Sequence, residues 1–513
     1  MTKTKVSSLQ SLLLSNLGFA ISIVSSLVMV PVGISYLGSH DFGVLLVLMA
    51  LSGYIPVLDF GVTPRLISEL PKCKNKQEQK MLWSTCTFFI IKIATAVSAI
   101  YSVFAMFFAD DLFGLLNLTQ DNPGSTLVVH AFLAGILARF MATPMVAYLT
   151  SASQLHEVKL AEAGRVVSVL AALLIAQYLD AGLLGVALSY CVLNLAITVM
   201  LYCRAIYTFT TLAQISQSNT DSNILARPSS VSLAFFLMSL AGMVIVNTDA
   251  IVIAAVLGPE KVSEYIIGQK FFFVAMAMLN IVNVMAWPKI AAVISTRNTS
   301  RVRSLVDSLI AFQMAAALSV SVILIQFGDL FLNIWLGVDR VLISEGLFLA
   351  FSIFCINSVF IGVTSVLNNS IGPRLESALL AIAEAVLNIG LTIVLLDKIG
   401  LLGAAIGTVA ATLFTSYFGL PLIVKYRTNG AFNVLNRSRV LSIISCYAIL
   451  FVFYEINKVW QGSAFLAILL SLGLAPYCYV NLQRILTLLT PTGDGLHGES
   501  TNPKTYLRCS DAK

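Results

Sequence analysis

Apolar blocks separated by short polar breaks run along this chain from its N-terminus to about Leu482. A membrane-spanning helix needs about 20 mostly apolar residues. Fourteen stretches meet that length, near 12–36, 43–68, 83–108, 126–149, 158–178, 182–203, 231–256, 265–292, 306–328, 343–365, 375–396, 400–424, 440–455 and 463–482. The pattern predicts an all-α polytopic membrane protein with about 14 transmembrane helices. The first apolar run is too long for the core of a cleaved secretory signal and reads as the first span.

Composition sharpens this. Of 513 residues, 58% are hydrophobic and 11% charged, with mean hydropathy +0.90, about half the charge of an ordinary soluble protein. No room is left for a soluble catalytic domain of ordinary size. The longest loop expected outside, Ala109–Ser125, is too small for a loop-borne glycosyltransferase or polymerase site. There is no G-x-x-x-x-G-K-[ST] phosphate loop and no Ser/His/Asp constellation on a loop. The eight cysteines show no paired metal spacing. The chain is therefore expected to be no enzyme, to hold no metal or cofactor, and to draw on a proton or Na⁺ gradient.

A net charge of +6 would suggest nucleic acid in a soluble chain, but here position matters more than the total. With the N-terminus and every second loop assigned to the cytosol, 22 of the 31 Lys and Arg fall on that side and four on the other. Both termini are thus expected in the cytosol, with no nucleic-acid partner. Sliding the halves by about 220 residues aligns "YLGSHDFG" with "VLGPEKVSEY", Pro64-Arg65 with Pro288-Lys289, the two "DLF" triplets, and "DAGLLGVALS" with "DKIGLLGAAIG". Six spans per copy is an even number, so the repeats are parallel. The expected organisation is two parallel six-helix repeats, an N-terminal bundle (1–207) and a C-terminal bundle (231–430). They are joined by a cytosolic linker (208–230) and followed by two extra helices (431–483) and a cytosolic tail (484–513). Two bundles that rock against each other make a transporter architecture.

The other five cations, Arg65, Lys92, Arg139, Arg165 and Lys270, lie within spans, where a charge costs about 2.5–3.5 kcal/mol and tends to face the protein interior. Lys92 and Arg139 are near mid-span, too deep to reach water along their own helices; Arg65, Arg165 and Lys270 lie closer to span ends and can snorkel. The acids within spans are Asp59, Glu162, Asp249, Glu376 and Glu384. Asp249 follows Asn247-Thr248, a run of oxygen-bearing side chains suited to a proton or Na⁺ relay, and Asp59 and Glu384 are deep enough to join it. Pro31 with Gly33, Gly53 with Pro56, Pro144 and Pro288 interrupt spans, as mobile gates require. "GAAIG" at Gly403–Gly407 has the spacing of close helix packing.

Within Tyr36–Leu70, the "LG-x-x-x-(F/Y)G" opening followed by an "LD-(F/L)-G" segment resembles the polysaccharide-transporter branch of the multidrug/oligosaccharidyl-lipid/polysaccharide (MOP) superfamily, Wzx-type O-antigen flippases in particular. "NTDAIVIAAVLGPEKVSEY" and "FLNIWLG" in the second half resemble it too, and the likeness covers about residues 8–482. The resemblance implies a flippase moving an undecaprenyl-pyrophosphate-linked oligosaccharide from the cytosolic to the outer leaflet of a bacterial inner membrane. It also implies a cationic cavity between the bundles, to which the five cations are assigned. Asp249, Glu384 and Asp59 are assigned to ion coupling. A polysaccharide polymerase and a chain-length regulator are the implied partners, and a monomer is expected. Two alternatives stay open: a multidrug exporter of the same superfamily, and an integral-membrane glycan polymerase or ligase.

Overall fold

The computed structural model describes residues 8–54, 58–59, 62–70, 73, 76–115, 124–152, 154–212, 230–295, 299–337, 343–372, 374–460 and 463–489, and all regular structure among them is helical. The helices are α1 (Ser8–Ser52), α2 (Val62–Glu69), α3 (Lys76–Leu115), α4 (Gly124–Met141), α5 (Thr143–Ser151), α6 (Leu155–Leu179), α7 (Gly182–Leu212), α8 (Ser230–Leu257), α9 (Pro259–Ser295), α10 (Thr299–Leu336), α11 (Glu345–Ile371), α12 (Leu375–Ile399), α13 (Leu401–Thr412), α14 (Phe418–Arg427), α15 (Arg437–Val459) and α16 (Ser463–Leu489). A π-helical turn, Leu413–Tyr417, joins α13 to α14.

Twelve helical segments among the described residues are long and apolar enough to cross a membrane, and the chain is a multi-pass membrane protein. The difference from fourteen has two sources. Expected spans one and two share the segment Leu17–Ser52, because α1 breaks only at Gly38 (φ 76°, ψ 175°). The fifth expected run lies on α6, which is helical for 25 residues but carries Glu157, Lys159, Glu162 and Arg165 in its first half.

The repeat is visible in the backbone. Gly38 and Gly258 have φ of 76° and 91°, and Asp180 and Gly400 have φ of 48° and 61°. Each pair is separated by 220 residues, so a positive-φ break recurs at the same place in both halves. Span four breaks at Ala142–Thr143, ahead of Pro144, and span two breaks after Ser52 at Gly53. Pro288, in contrast, lies within the continuous helix α9.

In the N-terminal bundle α1 packs along α6, while α4 and α6 pack on α7; in the C-terminal bundle α8 packs on α12, α12 on α13, and α9 and α10 on α11. The bundles meet where α1 touches α8 and α9. One apolar core runs through both, from Phe42 and Phe132 to Phe351 and Phe360, and a second, smaller one around Leu66, Leu82, Met145 and Leu201 lies within the N-terminal bundle. Helices α15 and α16 lie against α10, held by an Arg439–Asp307 ion pair and by Arg301, which donates to the Leu488 carbonyl at 2.9 Å.

Candidate functional site

The seam between the bundles is built from small residues. A Cβ on Gly43 of α1 would overlap the Pro259 carbonyl oxygen, and one on Gly53 would lie 2.5 Å from the Asn247 amide. The absence of side chains lets the backbones meet. Two hydrogen bonds then cross the seam: Ser263 Oγ donates to the Ser39 carbonyl at 2.8 Å, and Tyr54 Oη pairs with Thr248 Oγ1 at 2.7 Å. The Ser39–Ser263 and Gly43–Pro259 contacts sit where α1 breaks and α8 passes to α9, and the Gly53–Asn247 and Tyr54–Thr248 contacts lie about ten residues, or about 15 Å, further along α8, so the bundles touch along that length.

One residue beyond Thr248, Asp249 turns away from the seam into the C-terminal bundle, where it is 3% exposed. Its carboxylate accepts from Tyr265 Oη (3.0 Å), Thr408 Oγ1 (3.0 Å) and Thr392 Oγ1 (3.4 Å). Asn388 Nδ2 donates to Thr408 Oγ1 at 2.8 Å, and the buried Asn388 Oδ1 has no hydrogen-bond partner. Four helices thus converge on one carboxylate with an unfilled amide oxygen beside it. This is an oxygen-rich donor set for a small hard cation or a proton. The close approach that brings Thr392 and Thr408 together comes from Gly403 and Gly407, whose added Cβ atoms would collide with the α12 backbone.

Helices α8 and α9 therefore carry both functions at alternating positions. Asn247, Thr248 and Ser263 touch the N-terminal bundle, whereas Asp249 and Tyr265 form the carboxylate site.

A second cluster lies inside the N-terminal bundle. Arg139 of α4 and Arg165 of α6 are close enough for their charges to act on each other and on Tyr190 of α7, whose hydroxyl Arg139 reaches. Tyr190 is fixed by stacking on Phe132, centroids 4.3 Å apart. Neither arginine has a carboxylate within ion-pair distance among the described residues. Arg165 Nε and Nη2 and the nearby Asn194 Oδ1 are buried without hydrogen bonds. Two like charges, one of them with unfilled donors, make a donor set of the kind an anion needs, and the guanidinium fork suits phosphate.

The remaining candidates are dispersed. Lys92 is exposed on α3, its Nζ 4.6 Å from the Phe88 ring centroid. The deep pair expected from the sequence was Lys92 with Arg139; the structure instead joins Arg139 to Arg165, which was expected to snorkel. Depth along a helix does not report which face a residue occupies. Lys270 is half-buried on α9 without hydrogen bond or ion pair among the described residues, seven positions and so about 10 Å along the helix from Ser263 at about 1.5 Å per residue. Arg65 lies on α2, its side chain outside the described residues. Asp59 is 4% exposed and accepts from the Thr63 amide at 3.1 Å at the start of α2, so a helix cap accounts for its burial. Glu384 is 5% exposed and accepts from Thr415 Oγ1 at 2.9 Å. Tyr265, Asn388, Thr392 and Thr408 were not singled out in the sequence, although Asn388/Thr392 and Thr408/Thr412, polar pairs four apart in apolar helices, were the available signal.

No family model and no curated protein matches the chain. Solved structures do share its fold. The lipid II flippase MurJ in an inward closed conformation superposes with TM-score 0.66 at 14% identity, covering 92% of this chain and all (100%) of that one. An inward-facing multidrug resistance MATE family transporter of the MOP superfamily gives 0.61 at 15% identity, covering 81% of this chain and 98% of that one. An outward-facing conformation of such a transporter gives 0.55 at 15% identity over 82% and 96%.

Proposed function

We propose that the chain is an ion-gradient-driven flippase that moves an undecaprenyl-pyrophosphate-linked oligosaccharide, an O-antigen or similar repeat unit, from the cytosolic to the outer leaflet of a bacterial inner membrane by alternating access. The observation that carries this reading is the placement of the seam contacts and the Asp249 site on the same two helices. A transporter needs its ion site and its gate joined in this way. In this reading the seam closes the outer end, the cleft opens to the cytosol where both termini lie, and Arg139 and Arg165 hold the pyrophosphate. Lys270, about 10 Å along α9 from Ser263, and Lys92 add positive charge along the route. The likeness to a lipid II flippase supports a lipid-linked substrate. A polymerase and a chain-length regulator would take over the product outside, with the flippase acting as a monomer.

The multidrug-exporter reading draws on the buried acids of the C-terminal bundle, Asp249 and Glu384, and on the MATE-like fold. A glycan polymerase or ligase is the third reading. Cells lacking the protein separate them. Loss of a flippase traps finished lipid-linked units in the cytosolic leaflet; loss of a polymerase leaves single units exposed outside; loss of an exporter changes drug tolerance with surface glycan intact.

Asp249→Asn removes the only charge in its site while keeping the shape. Transport by this variant in proteoliposomes is expected to be equally slow with and without an imposed proton or Na⁺ gradient, because an amide can neither be protonated nor neutralise a cation. Full gradient stimulation in the variant would remove Asp249 from coupling. The orientation has its own check. Cysteines at positions 121 and 458, replacing Asp121 and Lys458, are expected to react with an outer membrane-impermeant reagent, and those replacing Arg301 and Arg437 to stay protected; the reverse pattern would invert every span.

A further inference from the structure

The C-terminal bundle buries a second carboxylate that the seam and the Asp249 site do not use. Glu384 and Asp249 are built alike. Neither has a Lys, Arg or His within 4.0 Å among the described residues. Each accepts from a threonine whose hydroxyl has another acceptor in reach: Thr408 Oγ1 is 3.0 Å from Asp249 Oδ2 and 3.1 Å from the Ala404 carbonyl, and Thr415 Oγ1 is 2.9 Å from Glu384 Oε2 and 2.6 Å from the Ala411 carbonyl.

A hydroxyl has one proton to give. When the carboxylate is ionised, the threonine donates to it. When the carboxyl is protonated, its O–H donates to the threonine oxygen, and the threonine turns its own proton to the carbonyl of its helix. Both protonation states leave every donor satisfied, so neither is penalised by an orphaned buried group. A carboxylate meant to stay charged in a membrane interior is instead given a cation.

The helix is also distorted for Glu384. The π-helical turn Leu413–Tyr417 opposite it brings Thr415 Oγ1 to 2.9 Å from the carboxylate and places the Ser416 hydroxyl and backbone N–H near enough to act on it. Such turns interrupt the regular ladder and cluster at functional positions. A backbone N–H near Glu384 disfavours a metal cation but suits a carboxyl oxygen in either state, which distinguishes this site from the oxygen-only set around Asp249. Glu384, Asn388 and Thr392 follow at four-residue intervals along α12 and bond to Thr415, Thr408 and Asp249 in turn. The two carboxylates therefore share one polar seam, about 12 Å long at about 1.5 Å per residue. From α8, α13, the π turn and α14, which pack around it, no charged group acts on Glu384 and only Tyr265, from α9, acts on Asp249 among the described residues.

We propose that Glu384 is a proton-carrying site separate from the cation site at Asp249, so that one transport cycle takes up a proton at Glu384 as well as a cation at Asp249. The proton comes from water, forms the O–H bond at Oε2, and turns the Thr415 hydroxyl to Ala411; its release to water on the other half-cycle reverses both changes. This rests on the reading of the C-terminal bundle as the coupling unit.

Infrared difference spectra of the full-length protein in liposomes, between acid and alkaline buffers, test it directly, with gradient-driven proton flux measured on the same samples by an enclosed pH-sensitive dye. Glu384→Gln is expected to remove one protonated-carboxyl band, leave that of Asp249, and lower proton flux at least about tenfold. Thr415→Val, which keeps the carboxyl but removes its switching partner, is expected to shift the same band and slow the flux; it carries the test if Glu384→Gln does not accumulate. Parental bands and flux in whichever of the two is measured overturn the proposal. Failure of the coupling reading looks different: Asp249→Asn would then keep full gradient-driven flux.

Discussion

Gly43→Val is expected to abolish transport while the protein still accumulates in the membrane. The first atom of any side chain at Gly43 overlaps the Pro259 carbonyl oxygen, and a backbone atom cannot swing aside as a side-chain tip does. Overpacking costs about 1–3 kcal/mol where neighbours yield and more where they do not, which lowers the closed form about 5- to 150-fold or more. The strain falls on contact between bundles and not within either, so folding of each bundle is spared. Gly53→Ala meets only the Asn247 side chain and is expected to be milder; Gly242→Ala, with nothing within 4 Å of the new Cβ, is the neutral control. Cysteines at positions 39 and 263, replacing Ser39 and Ser263, read the state of the seam. A short bifunctional reagent is expected to bridge them in the parent and not in Gly43→Val, and the bridged parent is expected to be inactive. Free transport through a bridged seam would show that this end does not open.

Neutralising either arginine of the α4–α6 pair is expected to stop transport without loss of folded protein. The sign of the stability effect separates the two roles an intramembrane arginine can play. An arginine paired with a carboxylate leaves that charge unpaired when removed, at about 3–5 kcal/mol, and abundance falls. Arg139 and Arg165 act on each other and have no carboxylate within ion-pair distance among the described residues, Glu162 acting on Arg165 only from further away, so Arg139→Ala or Arg165→Ala is expected to relieve repulsion. What is lost is charge-assisted bonding to the anion, about 1.5–3 kcal/mol per contact, or about 10- to 150-fold in transport. Membrane abundance and surface-glycan output in the same cells are the paired readout. Reduced abundance, restored by also changing Glu162 to Gln, would assign the pair to structure.

The spans, their order and the repeat were legible because a bilayer imposes one long-wavelength signal, the 20-residue apolar run, that no tertiary contact overrides. The repeat was readable for a related reason: Gly38 and Gly258 hold conformations that few other residues adopt, so the positions are marked in the sequence. Asp249 stood out in the sequence because an acid in an apolar run is costly wherever it lies. Its partners did not, since Thr392, Thr408 and Tyr265 are unremarkable one at a time and meet only through the α8–α12 and α12–α13 packing. The Arg139–Arg165 pair was missed because depth along a helix carries no information on azimuth. Lys92 at mid-span turned out to be exposed on α3, and Arg165 near a span end turned inward. Asp59 shows the opposite confusion, a buried acid whose bond to the Thr63 amide is that of a helix cap.

The central claim, that the chain moves a lipid-linked oligosaccharide between leaflets using an ion gradient, is tested most directly in proteoliposomes holding the purified full-length protein and a fluorescent polyprenyl-pyrophosphate oligosaccharide. Its leaflet is read by a membrane-impermeant quencher before and after a proton or Na⁺ gradient is imposed. The account predicts that the gradient drives the label from one leaflet to the other in the parent and fails to do so in Arg139→Ala and in Asp249→Asn. Label that stays in its starting leaflet in the parent, or that equilibrates at the same rate in protein-free vesicles, would contradict it.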